Sequence, residues 1–257
     1  HKPGSWRVIY FDAPNRGEQV RLLLALANTP FEDVRVSPHP QGLDPYKKAA
    51  MGDESPLLGT DKCPAVTAPD GTHCVETSEI MRFVGVRVGL APDAGSSADA
   101  KAMQQCLLAQ SLMNQVFYPL LKPMVVKHIL RTELAGSLRW LTGSLGGKQG
   151  PEPAAFLAET LPTLEAAIDG PYFLGANMCY ADVSVFAVLR ECLDYECFDE
   201  TALLMPYPKL AALMADLEAK SASWIDQRVA RHQFGLRRTT ELFAASFTPF
   251  PWSRKKK

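Results

Sequence analysis

The sequence changes character between residues 89 and 100. This stretch, "GLAPDAGSSADA", is rich in Gly, Ala, Ser and Asp and has no apolar period, which is typical of a linker. All of the strand-like segments precede it, and only helical patterns of comparable strength follow it. We therefore predict an N-terminal α/β domain over residues 5–90 and an all-helical domain over 97–235, with a C-terminal tail at 236–257.

The first ninety residues predict two strands around a helix, then a hairpin and a second helix. "WRVIYF" (6–11) and "EDVRV" (32–36) are short strand-forming runs. Between them, apolar residues recur at helical spacing: Val20, Leu23, Leu24 and Ala27. "PAVTA" and "THCV" flank the turn Pro69-Asp70-Gly71, and a helix is predicted over 77–88. The order β-α-β, then β-β-α, is that of the thioredoxin-like fold.

The second half of the chain predicts one helix after another. Their approximate ranges are 100–130, 131–143, 153–169, 181–193, 208–219 and 222–232. The last stretch, "LRRTTELFAASFTPFPWSRKKK", combines four aromatic residues with a basic end. It is either a frayed tail or a segment that docks on the protein's own surface or on a partner.

Composition narrows the function classes. The 257 residues are 47% hydrophobic and 21% charged, which is ordinary for a soluble globular protein. A net charge of −1 provides no overall attraction for nucleic acid or an anionic membrane. The longest uncharged stretch, residues 102–121, contains four Gln, one Asn and one Ser, so no transmembrane segment is expected.

The six cysteines form no C-x-x-C motif, and most of them lie within apolar patterns. We expect buried, reduced thiols and no metal site, which fits a reducing compartment and makes the cytoplasm the expected location. The chain begins at His1, so import into an organelle followed by loss of a targeting peptide stays open as an alternative.

A Cys63-Pro64 step precedes the predicted third strand. In the thioredoxin-like fold this place holds a cis-proline, and since only about 5–6% of X-Pro bonds are cis, such a bond usually serves a tight turn. We predict a cis bond here, which would turn the main-chain N–H and C=O of Cys63 outward to pair with an extended peptide. A trans proline at a strand start is the alternative.

Glu76 and Thr77 follow the hairpin and open the next helix. A helix N-terminus offers free N–H donors and a partial positive charge, and the Thr77 hydroxyl adds a further donor for a carboxylate. Glu76 could accept from an ammonium group. A ligand with an amino-acid end and a peptide body would satisfy the whole stretch, although Thr77 or Ser78 acting as an ordinary N-cap explains the pattern by itself.

Taken together, several motifs resemble the cytosolic glutathione transferases. They occur in the family's order and spacing from about residue 5 to 230, and they are "VIYF", "RGEQVR", "KCPAV", "DGTHCVETSEIMRF", "GPYFLGANMCYADVSVF" and "YPKLAALMADLEA". The resemblance is greatest to the tyrosine-dependent classes, with sigma nearest. It implies the glutathione transferase fold, glutathione as a substrate, and a homodimer.

The resemblance also implies roles for individual residues. Glu76 and Thr77 take the γ-glutamyl end of glutathione, and the main chain of Cys63, next to Pro64, pairs with its cysteinyl part. Lys62 is the candidate for the glycine carboxylate. Tyr46, Lys47 and Lys48 are weaker candidates for the same carboxylate, because the loop that carries them is longer than usual.

By the same resemblance, Tyr10 is the catalytic tyrosine and Arg16 supports it. A thiol with an ordinary pKa of about 8.5 is mostly protonated at neutral pH. A hydrogen bond from Tyr10 and the positive charge of Arg16 would favour the thiolate, which is the nucleophile. Without the family context, Tyr10 is a strand-end core residue and Arg16 a surface charge at a helix start.

The second substrate is expected to be a hydrophobic electrophile, which the protein conjugates or isomerises with glutathione. Its pocket is predicted to be lined by apolar residues of the loop after the first strand and of the 100–130 helix. These residues are Ala13, Met113, Phe117 and Tyr118.

Three features depart from the family pattern. Cys179 replaces the Ser or Thr that usually caps the helix carrying Asp182, at a cost of roughly 1 kcal/mol. Gln105, Ala109 and Met113 match positions that are acidic in sigma-like proteins, near the dimer contact. The loop between the second and third strands is long, and the tail is extra.

Two hypotheses therefore compete. The chain is an active glutathione transferase, or it is a non-catalytic subunit with that fold, held in a larger assembly through its tail. A third possibility, a cysteine nucleophile, is disfavoured because the end of the first strand reads Tyr10-Phe11-Asp12-Ala13.

Overall fold

The computed structural model describes residues 4–37, 42–60, 62–120, 152–194 and 197–232. A four-stranded mixed sheet with helices is followed by a helical part, as the element order predicted. The strands are β1 (Trp6–Phe11), β2 (Phe31–Val36), β3 (Ala65–Thr67) and β4 (His73–Val75). The sheet order is β2-β1-β3-β4, in which β1 and β2 are parallel and the other two pairs antiparallel.

Helix α1 (Asn15–Leu26) connects the parallel strands and is buried on more than one face. Beside the predicted apolar stripe, the charged side chains of Glu18 and Arg21 are also inside the protein, with 1% and 0% exposure. A buried charge requires a partner, and both residues have one. This helix therefore packs between the sheet and the helical part rather than against the sheet alone.

The long loop before β3 contains short helical turns. They are a 3₁₀ turn at Asp44–Tyr46, the four-residue helix α2 (Lys48–Met51) and a second 3₁₀ turn at Gly52–Glu54. Leu43 and Leu57 anchor this loop, since both pack with Ile9, Val36 and Ala65 on the face of the sheet away from α1.

The predicted hairpin and the helix after it occur in the structure. Ala65 pairs with Val75 and Thr67 with His73 across the turn. Helix α3 (Thr77–Val88) follows at once and ends at Gly89, which adopts a left-handed conformation with φ 76°.

The helical part begins with α4 (Ser97–Leu112), which continues through a π-helical turn at Met113–Phe117. It goes on with α5 (Pro153–Ala167), α6 (Tyr180–Asp194), α7 (Glu200–Leu204) and α8 (Pro208–His232). The helix predicted over 131–143, the end of the 100–130 helix and the tail at 236–257 lie outside the described residues.

The sequence prediction was wrong at two places in this part. Helix α7 was not predicted, and the two helices predicted at 208–219 and 222–232 are one continuous helix. The expected break fails because the Ser221 hydroxyl donates back to the Leu217 carbonyl at 2.6 Å, so a polar residue is accommodated inside the helix.

An ion pair joins α3 to α4 across the linker. The Arg82 guanidinium donates twice to the Asp99 carboxylate, whose oxygens also accept from the Gly95 N–H at 2.9 Å and from the Tyr180 hydroxyl at 3.4 Å. Ser96 caps α4 by accepting from the Asp99 N–H at 3.1 Å. These contacts hold the first helix of the helical part against the sheet-containing part.

None of the helices in the described ranges is both long and apolar enough to cross a membrane. Within the same ranges, no group of three or more His, Cys, Asp or Glu side chains is arranged to hold a metal ion.

Candidate active site

A cleft of about 470 Å³ opens where β1, β4 and the N-terminal ends of α1 and α3 meet the helix that follows the π-helical turn. It brings together side chains that are far apart in the sequence. Its lining is Tyr10, Phe11, Arg16, Lys62, Cys63, Pro64, Val75, Glu76, Thr77 and Tyr118. The cleft is polar on its helix-terminus side and apolar around Phe11, Pro64 and Val75.

The Cys63-Pro64 peptide bond at the floor of the cleft is cis, as predicted. Residue 64 leads directly into β3, the central antiparallel strand of the sheet. Burial raises the pKa of the Cys63 thiol to about 12, although a hydrogen bond with the Phe11 main chain opposes that rise. The thiol is therefore protonated at neutral pH, which does not support a cysteine nucleophile. Lys62 is exposed at the rim.

Glu76 and Thr77 form the opposite wall. Glu76 has φ 66° and ψ 120°, a conformation that side-chain-bearing residues rarely adopt, and it is the N-cap residue of α3. Such an outlier at a cleft points to a functional constraint on the backbone. Thr77 is 3% exposed, and its hydroxyl has no hydrogen-bond partner among the described residues. The wall thus offers a buried hydroxyl next to the free N–H groups of a twelve-residue helix.

Tyr10 lies at the end of β1 with 4% exposure. Its ring packs against the Cα of Gly17 at the start of α1, where any side chain would collide with it. Burial raises the pKa of Tyr10 well above its ordinary value, and the neighbouring Tyr118 raises it further. Tyr10 therefore keeps its proton at neutral pH, so its hydroxyl is able to donate a hydrogen bond.

Arg16 spans the cleft between α1 and the π-helical turn. Its Nη2 donates to Oδ1 of Asn114 at 2.5 Å, and its guanidinium carbon lies 5.9 Å from the centre of the Tyr118 ring. Burial raises the pKa of Tyr118, while the charge of Arg16 opposes that rise. One cation and two protonated hydroxyls therefore face the same corner of the cleft.

The residues predicted for the second-substrate pocket are not brought together in the same way. Tyr118 lines the cleft, but Met113 and Phe117 are fully buried in the core, and Ala13 is not part of the cleft lining. The π-helical turn explains the difference, because it alters which residues of this helix face the cleft. The second-substrate role of these four residues stays a prediction.

The sequence comparison with sigma-like proteins placed three residues of the first helix of the helical part near the dimer contact, and the structure contradicts that placement. Gln105, Ala109 and Met113 are 3%, 0% and 0% exposed within the single chain, so they do not face a second subunit. The exposed large apolar residues of α3 and α4 are instead Val86 and Leu107.

Tyr46, Lys47 and Lys48 do not line the cleft. Lys47 pairs with Asp44 at 2.8 Å, and the Tyr46 ring lies 5.5 Å from the guanidinium carbon of Arg7. Lys48 lines a separate, smaller cavity of about 230 Å³.

Several residues around the cleft were not predicted from the sequence. Phe11 and Val75 are direct neighbours of predicted site residues and could have been found from strand ends alone. Asn114, which holds Arg16, and Arg21, which holds the loop after Tyr10, could not. The pair Glu18 and Arg21 at i, i+3 was a signal, but the same pattern is common on exposed helix faces.

Comparison with known proteins agrees with this architecture. Residues 151–227 match the family model of the glutathione S-transferase C-terminal domain. A glutathione S-transferase from Ascaris lumbricoides has a TM-score of 0.59 at 20% identity, over 87% of this chain and 97% of that chain. The fold is that of the glutathione S-transferases.

Two further solved structures share the glutathione S-transferase fold. One from Caenorhabditis elegans has a TM-score of 0.58 at 21% identity, over 87% of this chain and 98% of that one. Monomeric Na-GST-3 from the hookworm Necator americanus has a TM-score of 0.59 at 16% identity, over 87% and 97%. Among curated proteins, no sequence matches this chain significantly.

The C-terminal family match covers α5, α6, α7 and most of α8. Within it, Asp182 accepts hydrogen bonds from the N–H groups of Phe173 and Cys179, both at 2.8 Å. Helix α6, for which the sequence predicted a poor N-cap at Cys179, is therefore bonded to the preceding loop through Asp182, its third residue.

Proposed function

We propose that this protein is a glutathione transferase, which conjugates or isomerises hydrophobic electrophiles through a glutathione thiolate held by Tyr10. The observation that carries the proposal is the convergence of separate chain segments on one cleft with chemistry that fits a γ-glutamyl peptide. The fold supports it, and the sequence motifs favour a tyrosine-type, sigma-like relative.

The cleft offers a complement for each part of glutathione. The Thr77 hydroxyl and the N-terminus of α3 suit the carboxylate of the γ-glutamyl end, and the exposed Glu76 carboxylate suits its ammonium. The main chain of Cys63, before the cis bond to Pro64, suits the extended cysteinyl part as a strand-like partner. Lys62 at the rim provides a charge for the glycine carboxylate.

The corner of the cleft faced by Tyr10, Arg16 and Tyr118 is called the sulfur corner, because it would hold the glutathione sulfur. The chemistry follows from the protonation states of its side chains. Because Tyr10 stays protonated, its hydroxyl donates to the sulfur and stabilises the thiolate over the thiol. Arg16 adds positive charge to the same corner. The thiol proton passes to solvent, and the thiolate forms a bond to the electrophilic carbon of the second substrate. The electron pair of the bond broken at that carbon departs with a leaving group, or moves to the neighbouring atom, which takes a proton from solvent. The apolar surface around Phe11, Val75 and Tyr118 favours a hydrophobic electrophile.

The remaining partners follow from the same proposal. A homodimer stays a prediction, for which Val86 and Leu107 provide exposed apolar surface of 48% and 49% on α3 and α4. Sedimentation of wild type and Leu107→Glu tests it, since a charge at this position would separate a dimer that uses this face. Assembly through residues 236–257 and a cytoplasmic location also remain predictions.

The proposal is tested by the ultraviolet difference spectrum of the protein titrated with glutathione at neutral pH. We expect a thiolate band on binding to wild type and no band for Tyr10→Phe. Tyr172→Phe is the matched control, because its hydroxyl bonds Asp216 in the helical part, away from the cleft. Absence of binding, or binding without thiolate in wild type, would overturn the proposal and leave the non-catalytic subunit as the explanation of the fold.

A further inference from the structure

Arg21 on α1 is fully buried and holds the main chain of the loop that follows Tyr10. Its Nη1 donates to the carbonyl of Ala13 at 2.8 Å, and its Nη2 lies 3.3 Å from the carbonyl of Phe11. Its Nε donates to Oδ1 of Asp33 on β2 at 2.9 Å. A single guanidinium thus ties together the end of β1, the β1–α1 loop and the neighbouring strand.

A second arginine also holds this loop. Arg35 on β2 donates to Oδ2 of Asp33 at 2.7 Å and to Oδ1 of Asp12 at 3.1 Å. The Asp33 carboxylate is therefore shared between both arginines. Each of the three residues between Tyr10 and Pro14 therefore accepts from one of the two guanidinium groups. Phe11 and Ala13 accept through their carbonyls, and Asp12 accepts through its carboxylate.

The opposite side of Arg21 is connected to the helical part of the protein. Glu18 is 1% exposed, and its Oε2 lies 3.6 Å from Nη1 of Arg21. Its Oε1 accepts a hydrogen bond of 2.8 Å from the indole N–H of Trp224 on α8, a residue 206 positions away. The Trp224 ring also packs on Phe31 at the start of β2, with ring centres 5.5 Å apart.

We propose that Arg21 is a positioning residue for the sulfur corner of the cleft, and that Trp224 makes this positioning depend on the docking of α8. The loop from 11 to 14 connects Tyr10 to the helix that carries Arg16, so a shift of its main chain moves both groups. The effect of Arg21 on the glutathione thiolate rests on the proposed function. The link from α8 to the β1–α1 loop rests on the contacts alone.

The chemistry of arginine explains why this residue type occupies the position. Two carbonyls and a carboxylate accept from three different nitrogens of the guanidinium, which a planar fork of five N–H donors can satisfy. The guanidinium carbon also lies 5.7 Å from the centre of the Tyr10 ring. A lysine ammonium retains the charge but cannot hold both carbonyls in the same geometry.

The first experiment compares Arg21→Lys with Arg82→Lys. Like Arg21, Arg82 pairs with a carboxylate, but it does so at the α3–α4 junction, where its Nε and Nη2 donate to Asp99 rather than to the β1–α1 loop. We measure the pKa of the bound glutathione thiol by ultraviolet titration, together with the Kd for glutathione.

For Arg21→Lys we expect the thiol pKa to rise by about one unit, so that the thiolate fraction falls, approaching roughly tenfold at pH values well below that pKa. The Kd should change little, because Cys63, Glu76 and Thr77 are intact. Arg82→Lys should lower thermal stability and leave the thiol pKa unchanged. If Arg21→Lys lowers thermal stability but leaves the thiol pKa unchanged, as expected for Arg82→Lys, then Arg21 is only structural and the proposal is overturned.

The second experiment does not require glutathione. Hydrogen exchange is followed at the amides of Asp12 and Ala13, which donate to the carbonyls of Val36 at 3.0 Å and Phe11 at 2.7 Å. Trp224→Phe removes the indole N–H but keeps an aromatic ring, whereas Phe31→Leu removes the ring contact and keeps the N–H.

We expect several-fold faster exchange at these amides in Trp224→Phe and Arg21→Lys, and wild-type exchange in Phe31→Leu. Unchanged exchange in Trp224→Phe would overturn the coupling. If wild type binds no glutathione, the proposed function fails, while faster exchange in both variants still supports the link from α8 to the loop.

Discussion

The Cα of Gly17 faces the ring of Tyr10 with no room for a side chain between them. Gly17 therefore acts as the spacer that lets the start of α1 approach the end of β1. This close approach places Tyr10 and Arg16 in the same corner of the cleft, because Arg16 precedes the spacer on the same helix.

Gly17→Ala is expected to displace the Tyr10 ring. Alanine favours a helix over glycine, so any loss of function cannot be explained by helix propensity. A shift of about 1 Å in a catalytic group can lower kcat/KM about a hundredfold, and we expect a loss of that order together with loss of the thiolate band. Gly85→Ala, which crowds Tyr180 and the Leu90 carbonyl instead, is the control and should lower stability without removing the band.

Thr77→Val is expected to weaken glutathione binding about tenfold, since it removes a buried hydroxyl that has no partner among the described residues. For the same reason it should not destabilise the ligand-free protein. Calorimetric titration and thermal unfolding measure the two effects. Thr77→Ser keeps the hydroxyl and should bind as wild type does; if Thr77→Val binds equally well, Thr77 is a simple packing residue.

Cys179→Ser is expected to stabilise the protein by roughly 1 kcal/mol, measured as the free energy of unfolding in urea. Asp182 already accepts from the Cys179 N–H, which is one half of a capping box. A serine hydroxyl would provide the other half by accepting from the Asp182 N–H. Cys106→Ser, a buried thiol inside α4 rather than at a helix start, should instead lose stability.

The Asp99 carboxylate contributes to the free energy of unfolding, and this contribution is lost in acid. Hydrogen bonds from Arg82 and from the Gly95 N–H lower the pKa of Asp99 below its ordinary value. The folded protein therefore binds fewer protons here than the unfolded chain does. This contribution is complete above the unfolded-state pKa of about 3.9, and it is lost as pH falls through the folded-state pKa.

We accordingly expect Asp99→Asn to be less stable than wild type at neutral pH, by an amount that shrinks below about pH 4. Urea unfolding at a series of pH values measures this difference. Asp226→Asn, an exposed residue on α8, is the matched control. A difference between wild type and Asp99→Asn that stays constant into the acid range would contradict the assignment.

The order of the elements and the segments that carry the candidate site were predictable from the sequence. The strand at 6–11, the hairpin around Pro69-Asp70-Gly71 and the helix at 77–88 depend on neighbours in the chain, so local patterns were sufficient. Cys63-Pro64, Glu76 and Thr77 stand at the ends of these elements. Their convergence followed from the fold that the element order indicates.

Only the tertiary structure decided what surrounds these residues. Glu18 and Arg21 look like an exposed pair in sequence, yet both are buried, and Asp33 and Trp224 bond to them from distant elements. At the π-helical turn, Met113 and Phe117 are buried in the core, whereas Tyr118, which follows the turn, lines the cleft. Periodicity records which face of a helix is apolar, whereas the partner of a buried charge and the register of a turn depend on packing between segments far apart in the chain.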